Sequence, residues 1–173
     1  EHAIIKKIKE NPIVTNIFAL PGNGGIANDA TCVDISACDI EGICKFAVKE
    51  NIDYAIVAPD DPLVLGCVDE LNKLGIKCFG PNKAAAIIEG SKVFSKNLMK
   101  KYNIPTAEYE VFSDLEKALE YLETAPIPTV IKADGLALGK GVIIAETRED
   151  AVTAVKSMME DKVFGDSGNN IVI

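Results

Sequence analysis

Short apolar runs alternate with amphipathic stretches through the first half of the chain, and this alternation limits the fold more than any other feature. Ile13–Leu20 reads as a strand ending at Pro21-Gly22-Asn23-Gly24-Gly25, Cys32–Ile35 as a short strand, Asp39–Asn51 as a helix and Asp53–Ala58 as a buried strand. Pro59-Asp60-Asp61-Pro62 breaks the chain before a helix that runs to Leu74 and is capped by Gly75. Strand Ile76–Phe79 follows and ends at Gly80-Pro81-Asn82. Ahead of all this, Ala3, Ile4, Ile5 and Ile8 share one helical face that stops at Asn11-Pro12. The pattern predicts an α/β fold with a parallel sheet covered on both faces, whose ligands bind beyond the carboxyl ends of the strands. Loops 21–25, 59–62 and 80–82 meet that description.

The pattern changes after Pro81. Lys83–Gly90 and Ser91–Tyr102 read as helical pieces, and Asn103-Ile104-Pro105-Thr106 as a connector, which places a boundary across 82–106. Beyond it come a strand (Glu108–Phe112), a helix capped by Ser113 or Asp114, and a strand (Thr129–Ala133). The glycine-rich turn Asp134–Gly141 leads to strand Val142–Ala145, and a helix runs from Arg148 to about Met159. Ile171–Ile173 begins a strand with no visible place in a sheet, and both ends read as cut off.

The strongest chemical signal is Lys132-Ala133-Asp134-Gly135-Leu136-Ala137-Leu138-Gly139-Lys140-Gly141-Val142. Its glycines permit close backbone approach, so consecutive N–H groups can point at phosphate oxygens while lysines supply charge. It is not a Walker A loop: the glycine spacing is too short, Gly141 stands where Ser or Thr is required, and the segment joins two strands. The bland alternative is a flexible hairpin with solvated lysines. Lys92 and Lys96 fall at i, i+4 on one helical face, which by itself is equally a solvated basic face. Asp60 and Asp61 follow a strand end, where they could bind an amine or cap the next helix. No G-x-G-x-x-G follows a strand, so a nicotinamide domain lacks its fingerprint.

Composition narrows the partners. The chain has 173 residues, 48% of them apolar and 25% charged, as ordinary folded proteins have. Its 26 acidic against 18 basic residues give a net charge of -8, which disfavours nucleic acid and anionic membranes and favours a small-molecule substrate. No apolar run approaches the roughly 18 residues of a membrane span, and no signal peptide is read, so the cytoplasm is the expected compartment. The five cysteines are odd in number, irregularly spaced and without a C-x-x-C pair, so they are read as reduced thiols.

Taken in order, Pro21-Gly22-Asn23, Pro59-Asp60-Asp61-Pro62-Leu63-Val64, Phe79-Gly80-Pro81, Glu89-Gly90-Ser91-Lys92, Ile104–Tyr109, Lys132–Val142 and Phe164-Gly165-Asp166 resemble the phosphoribosylamine-glycine ligase family of ATP-grasp enzymes. The resemblance covers the whole chain in one register. It implies a Rossmann-like pre-ATP-grasp domain (1–82), a helical connector (83–105) and the small α+β lid subdomain of an ATP-grasp fold (106–173). That family begins with a strand and a phosphate loop ending Gly-Arg-Glu-His-Ala, of which Glu1-His2-Ala3 remain, so the chain is expected to be a piece lacking the first strand. The implied chemistry is ligation of glycine to 5-phosphoribosylamine: ATP phosphorylates the glycine carboxylate, and the amine attacks the glycyl phosphate.

The resemblance implies ATP contacts from Lys92, Lys132, Asp134, Gly135, Leu136, Ala137, Leu138, Gly139, Lys140 and Gly141. It implies substrate contacts from Pro21, Gly22, Asn23, Pro59 and Asp60, where Asp60 reaches one methylene less than the family's usual Glu. The cofactors are ATP and Mg²⁺ or Mn²⁺, with the metal's carboxylate and amide ligands lying beyond residue 173. Partners are the small molecules glycine, 5-phosphoribosylamine and ATP, without nucleic acid or membrane, an arrangement compatible with a monomer. Another ATP-grasp ligase or carboxylase, and a noncatalytic nucleotide-binding module, remain as alternatives.

Overall fold

The computed structural model describes residues 1–136 and 141–173, which form two compact units, Glu1–Ala86 and Ile87–Ile173. In the first unit, helix α1 (His2–Lys9) buries Ile5. Strand β1 (Phe18–Ala19) pairs in parallel with β2 (Thr31–Cys32). Helix α2 (Ile40–Lys49) starts at Asp39, whose carboxylate accepts the Gly42 N–H at 2.9 Å. Strand β3 (Tyr54–Ile56) pairs in parallel with β4 (Lys77–Phe79), and α3 (Asp60–Leu65) and α4 (Cys67–Lys73) connect them. The unit closes on α5 (Lys83–Gly90), inside which the division between units falls.

Three expectations for this unit are corrected. The run Ile13–Leu20 pairs only at Phe18–Ala19, because Asn11 turns the chain: its carbonyl accepts the Val14 N–H at 3.0 Å and its side chain the Ile13 N–H at 3.2 Å, leaving Ile13 81% exposed. The single helix expected up to Leu74 is two, since Gly66 between them takes the left-handed φ of +93°. The parallel strands form two separate two-stranded ladders, β1-β2 and β3-β4. Only one face of β3-β4 is covered: Val57 joins the core with Leu63, Val68 and Leu71, and Ala55 and Cys78 pack against it, while Tyr54, Ile56 and Phe79 are exposed. Gly75 does cap α4. It runs at φ +81°, its N–H reaches the Asn72 carbonyl at 3.0 Å, and the Ile76 N–H reaches Leu71 at 3.1 Å, a Schellman closure that turns the chain into β4.

In the second unit, α6 (Lys92–Lys101) precedes β5 (Val111–Phe112), and α7 (Leu115–Leu122) is capped by Asp114 rather than Ser113, its carboxylate accepting the Lys117 N–H at 3.0 Å. Strands β6 (Thr129–Ala133) and β7 (Val142–Ala145) have the limits read from the sequence, as has α8 (Arg148–Met159). The closing segment is corrected: Ile171–Val172 (β8) is an interior strand, antiparallel to both β5 and β6 in the order β5-β8-β6-β7. Ile131, Ala133, Ala145 and Ile171 present one face of this sheet to Leu122, Val155 and Met158 of the two helices. Burying each of the larger side chains contributes about 1.5–3 kcal/mol. Among the described residues, no helix is long and apolar enough to cross a membrane.

Candidate functional site

The opposite face of the four-stranded sheet is the chemically loaded one. Alternation along β6 and the register Val130↔Ile144 and Lys132↔Val142 put these four side chains on the same face. Val130 is 37% exposed, Val142 43% and Ile144 67%, an apolar strip with one ammonium group at its end. Helix α6 lies against β8, whose Val172 pairs with Lys132 and is buried. This places the cationic face of α6 beside the strip.

The N-terminus of α6 and the end of β6 are tied together. Ser91 Oγ accepts the Phe94 N–H at 3.0 Å and donates to the Asp134 carboxylate at 3.0 and 3.2 Å. Asp134 Oδ1 also accepts the Val93 N–H at 3.2 Å. Lys92 Nζ donates to the Gly135 carbonyl at 2.6 Å. One turn on, Lys96 Nζ donates to Thr106 Oγ1 at 2.7 Å and to the Ala107 carbonyl at 3.1 Å, and lies 5.1 Å from the centre of the Tyr109 ring.

Burial lowers the Lys92 ammonium's pKa below its ordinary value; Asp134 opposes that shift, Lys132 adds to it and Glu89 opposes it. Burial, then the charge of Lys132, lowers that of Lys96 as well. Among the described residues, none of the ion pairs involves Lys92, Lys96 or Lys132. Lys132 lies close enough to disfavour the charged forms of Lys92 and Lys96, and a polyanion relieves that repulsion.

The start of the glycine-rich segment is held from below. Gly135 runs at φ +100°, the Asp134 N–H donates to the Asn170 carbonyl at 2.9 Å, and Ser167 of the 3-10 turn Gly165–Asn169 packs against Gly135. Lys92, Lys132, Asp134, Gly135 and Leu136 therefore gather at the α6–β6 junction, with Gly141 at the start of β7. Ala137, Leu138, Gly139 and Lys140 lie outside the described residues.

Sequence reasoning left Lys96, Thr106, Tyr109 and the apolar strip out of the site. The i, i+4 spacing of Lys92 and Lys96 and the alternation of Val130, Lys132, Val142 and Ile144 were the available signals.

In the first unit, Pro21, Gly22 and Asn23 follow the carboxyl end of β1. Gly22 has φ +76°, and a Cβ there would collide with Cys32 Sγ. Asn23 Oδ1 accepts the Gly25 and Ile26 N–H groups, both at 3.0 Å. Beside this loop His2 Nε2 hydrogen-bonds Asp29 Oδ2 at 2.8 Å, and Lys9 Nζ reaches Asp29 Oδ1 at 3.1 Å. Pro59 and Asp60 follow β3, with Pro59 preceding α3 and Asp60 and Asp61 in its first turn, where the helix dipole favours carboxylates. No described hydrogen bond joins the 21–23 and 59–60 loops. Among the described residues, no group of three or more His, Cys, Asp or Glu side chains could hold a metal ion.

Comparison with known proteins bears on the family and the fold. Residues 1–89 match the N domain of phosphoribosylglycinamide synthetase and residues 90–173 its ATP-grasp (A) domain. The phosphoribosylamine--glycine ligase of Pseudomonas putida is 47% identical over the whole chain, which covers 40% of that protein. The crystal structure of the Thermotoga maritima phosphoribosylamine--glycine ligase superposes with a TM-score of 0.76 at 28% identity, over 99% of this chain and 40% of that one. The biotin carboxylase domain of Hydrogenobacter thermophilus 2-oxoglutarate carboxylase shares the fold, with a TM-score of 0.75 at 20% identity over 98% of this chain and 40% of that one. The chain thus spans about two fifths of the length of the curated relatives it matches. On the N-domain match over residues 1–89 and the A-domain match over the rest, the chain belongs to the phosphoribosylglycinamide synthetase family.

Proposed function

We propose that the protein to which this chain belongs ligates glycine to 5-phosphoribosylamine, consuming ATP and releasing glycinamide ribonucleotide, ADP and phosphate. The observation that carries the nucleotide part is the set of three lysines, Lys92, Lys96 and Lys132, none of them in a salt bridge among the described residues, at one end of the exposed strip Val130–Val142–Ile144. An apolar sheet face suits a purine ring, and ammonium groups at its end suit a phosphate chain. Lys92 and Lys132 bind the phosphates, beside Gly135, Leu136 and Gly141; Ala137, Leu138, Gly139 and Lys140, which belong to the same reading, lie outside the described residues. In the reaction the γ-phosphoryl passes to a glycine carboxylate oxygen, ADP leaves, and the amine of phosphoribosylamine displaces phosphate from the acyl carbon. Positive charge at Lys92 and Lys132 offsets the charge that builds on the transferring group.

Pro21, Gly22, Asn23, Pro59 and Asp60 are assigned to the glycine and phosphoribosylamine contacts. The divisions 1–82, 83–105 and 106–173, a monomeric state and a cytoplasmic location are parts of the same reading. Mg²⁺ or Mn²⁺ is read as the companion cation of ATP, with protein ligands beyond residue 173; among the described residues no group of three or more His, Cys, Asp or Glu side chains could hold it.

The test is nucleotide binding and product formation by the full-length protein, wild type and Lys132→Met. ATP-dependent ADP release should require glycine and freshly generated phosphoribosylamine, and the substitution should weaken ATP binding by about 1–3 kcal/mol. Turnover with bicarbonate in place of glycine would instead identify a carboxylase of the same fold. ATP binding without turnover would identify a nucleotide-binding module, and an unchanged ATP dissociation constant would remove Lys132 from the site.

A further inference from the structure

We infer that Asp134 is a positioning residue that acts through Lys92, and that its carboxylate is not a ligand of the nucleotide. The inference rests on the reading of Lys92 as a phosphate contact and deepens it.

Both ends of Asp134 are already committed. Its backbone N–H donates to the Asn170 carbonyl at 2.9 Å, fixing it to the turn below. Its carboxylate receives the Ser91 hydroxyl at 3.0 and 3.2 Å and the Val93 N–H at 3.2 Å. Ser91 Oγ meanwhile accepts the Phe94 N–H at 3.0 Å. Val93 and Phe94 carry the second and third N–H groups of α6, which lack partners within the helix. Ser91 and Asp134 thus divide the exposed end of the helix between them.

A helix N-terminus of this kind attracts phosphate when it is open. Here a carboxylate from β6 fills it, and a phosphate at the same place would face that carboxylate at close range. The anion-binding capacity of the junction therefore passes to the neighbouring ammonium groups. Of these, Lys92 is the next residue after the Ser91 cap, so the clasp that fixes the end of α6 also fixes the root of its side chain. Lys92 Nζ gives one of its three hydrogens to the carbonyl of Gly135, the residue after Asp134, at 2.6 Å, and has no other hydrogen-bond partner among the described residues.

Charge follows the same arrangement. The groups facing Lys92 are Asp134 and Glu89, which favour its charged form, and Lys132, which opposes it together with burial. Asp134 opposes the lowering of the Lys92 ammonium's pKa that burial and Lys132 bring about.

The experiment uses the full-length protein and two readouts. The first is the titration of the Lys92 side chain by NMR without nucleotide, assigned with Lys92→Arg, in wild type and Asp134→Asn. The second is the ATP dissociation constant in a cycle of Asp134→Asn, Lys92→Gln and the double variant, with circular dichroism as the check on folding. Asp134→Asn should move the Lys92 titration to lower pH. It should weaken ATP binding roughly tenfold in the wild-type background and not measurably in the Lys92→Gln background.

An unmoved Lys92 titration in folded Asp134→Asn overturns the inference. So does an equal loss of ATP affinity in both backgrounds, which is the behaviour of a direct ligand. If Lys92→Gln binds ATP as wild type does, the nucleotide reading of Lys92 fails, and the titration alone decides the role of Asp134. Asp134→Ser, which keeps a hydrogen-bond acceptor but no charge, gives the same readouts if Asp134→Asn does not fold.

Discussion

Gly135 and Ser167 are packed so closely that a Cβ on Gly135 would lie 2.7 Å from the Ser167 hydroxyl oxygen. The φ of Gly135 is +100°, a region that side-chain-bearing residues rarely enter. Gly135→Ala meets both penalties, and it should lower stability by about 1–3 kcal/mol. Adding Ser167→Gly should return the part owed to the contact and leave the part owed to backbone strain. Denaturant midpoints for the single and double variants separate the two. A Gly135→Ala protein with the wild-type midpoint would mean that the root of the segment rearranges freely.

The limits of β6, β7 and α8 were legible because each is a local pattern: apolar runs on either side of a glycine-rich turn in the strands, and helical spacing in α8, whose N-cap Thr147 accepts the Asp150 N–H. The interior position of β8 was not legible from Ile171–Ile173, since strand order depends on pairings with Phe112 and Ala133, distant in sequence. The short pairing of β1 and β2 was hidden for a related reason, because apolar runs mark what can be buried and not how much of it finds a neighbour. At the site, the lysines and glycines were readable as phosphate chemistry. The double use of the α6 N-terminus by Ser91 and Asp134 was not, since it joins groups 43 residues apart.

The exposed strip gives a prediction that separates binding from folding. Ile144 is 67% exposed, so Ile144→Ser removes little buried surface and should change stability by no more than about 0.5 kcal/mol. If the strip receives a purine ring, the same substitution should weaken ATP binding several-fold, about 1 kcal/mol, while leaving inorganic triphosphate binding unchanged. Calorimetric titration of the full-length protein with the two ligands makes the comparison. Equal losses for both would place the purine elsewhere.

Asp29 should leave a mark on the acid side of the stability curve. The hydrogen bond from the His2 ring, then the Lys9 ammonium, hold its carboxyl below the ordinary aspartate value of 3.8. A carboxyl with a depressed folded-state pKa contributes stability that is present above its unfolded value and lost as pH falls towards the folded one. Asp29→Asn should therefore flatten the decline of stability below the ordinary aspartate range. The same substitution at neutral pH should cost the charged form of that contact. Melting temperatures measured from neutral pH down to the acid limit provide the check, and parallel curves for both proteins would show that Asp29 ionises as it does in the unfolded chain.

The five thiols should divide by reactivity. Cys44 on α2, Cys67 on α4 and Cys78 on β4 meet in the core of the first unit, whereas Cys32 and Cys38 are exposed. Burial, followed by the nearby Cys44 and Cys78 thiols, pushes Cys67 up to about 11. Burial is also the leading cause of the upward shifts at Cys44, where Glu70 adds to it, and at Cys78, where Cys44 does. The thiolate is the nucleophile, so at pH 8 a thiol of pKa near 11 presents about one part in a thousand of its reactive form, before any steric protection. Iodoacetamide at pH 8 should label Cys32 and Cys38 within minutes and Cys67 slowest of all, with Cys44 and Cys78 between them. Raising the pH towards its pKa should speed Cys67, because its thiol is still mostly protonated at pH 8. Peptide-level mass spectrometry at timed points reads each site separately, and labelling in denaturant should make all five alike by removing burial. Cys67 reacting as fast as Cys38 in the native protein would mean that the α2–α4–β4 core opens on the timescale of labelling.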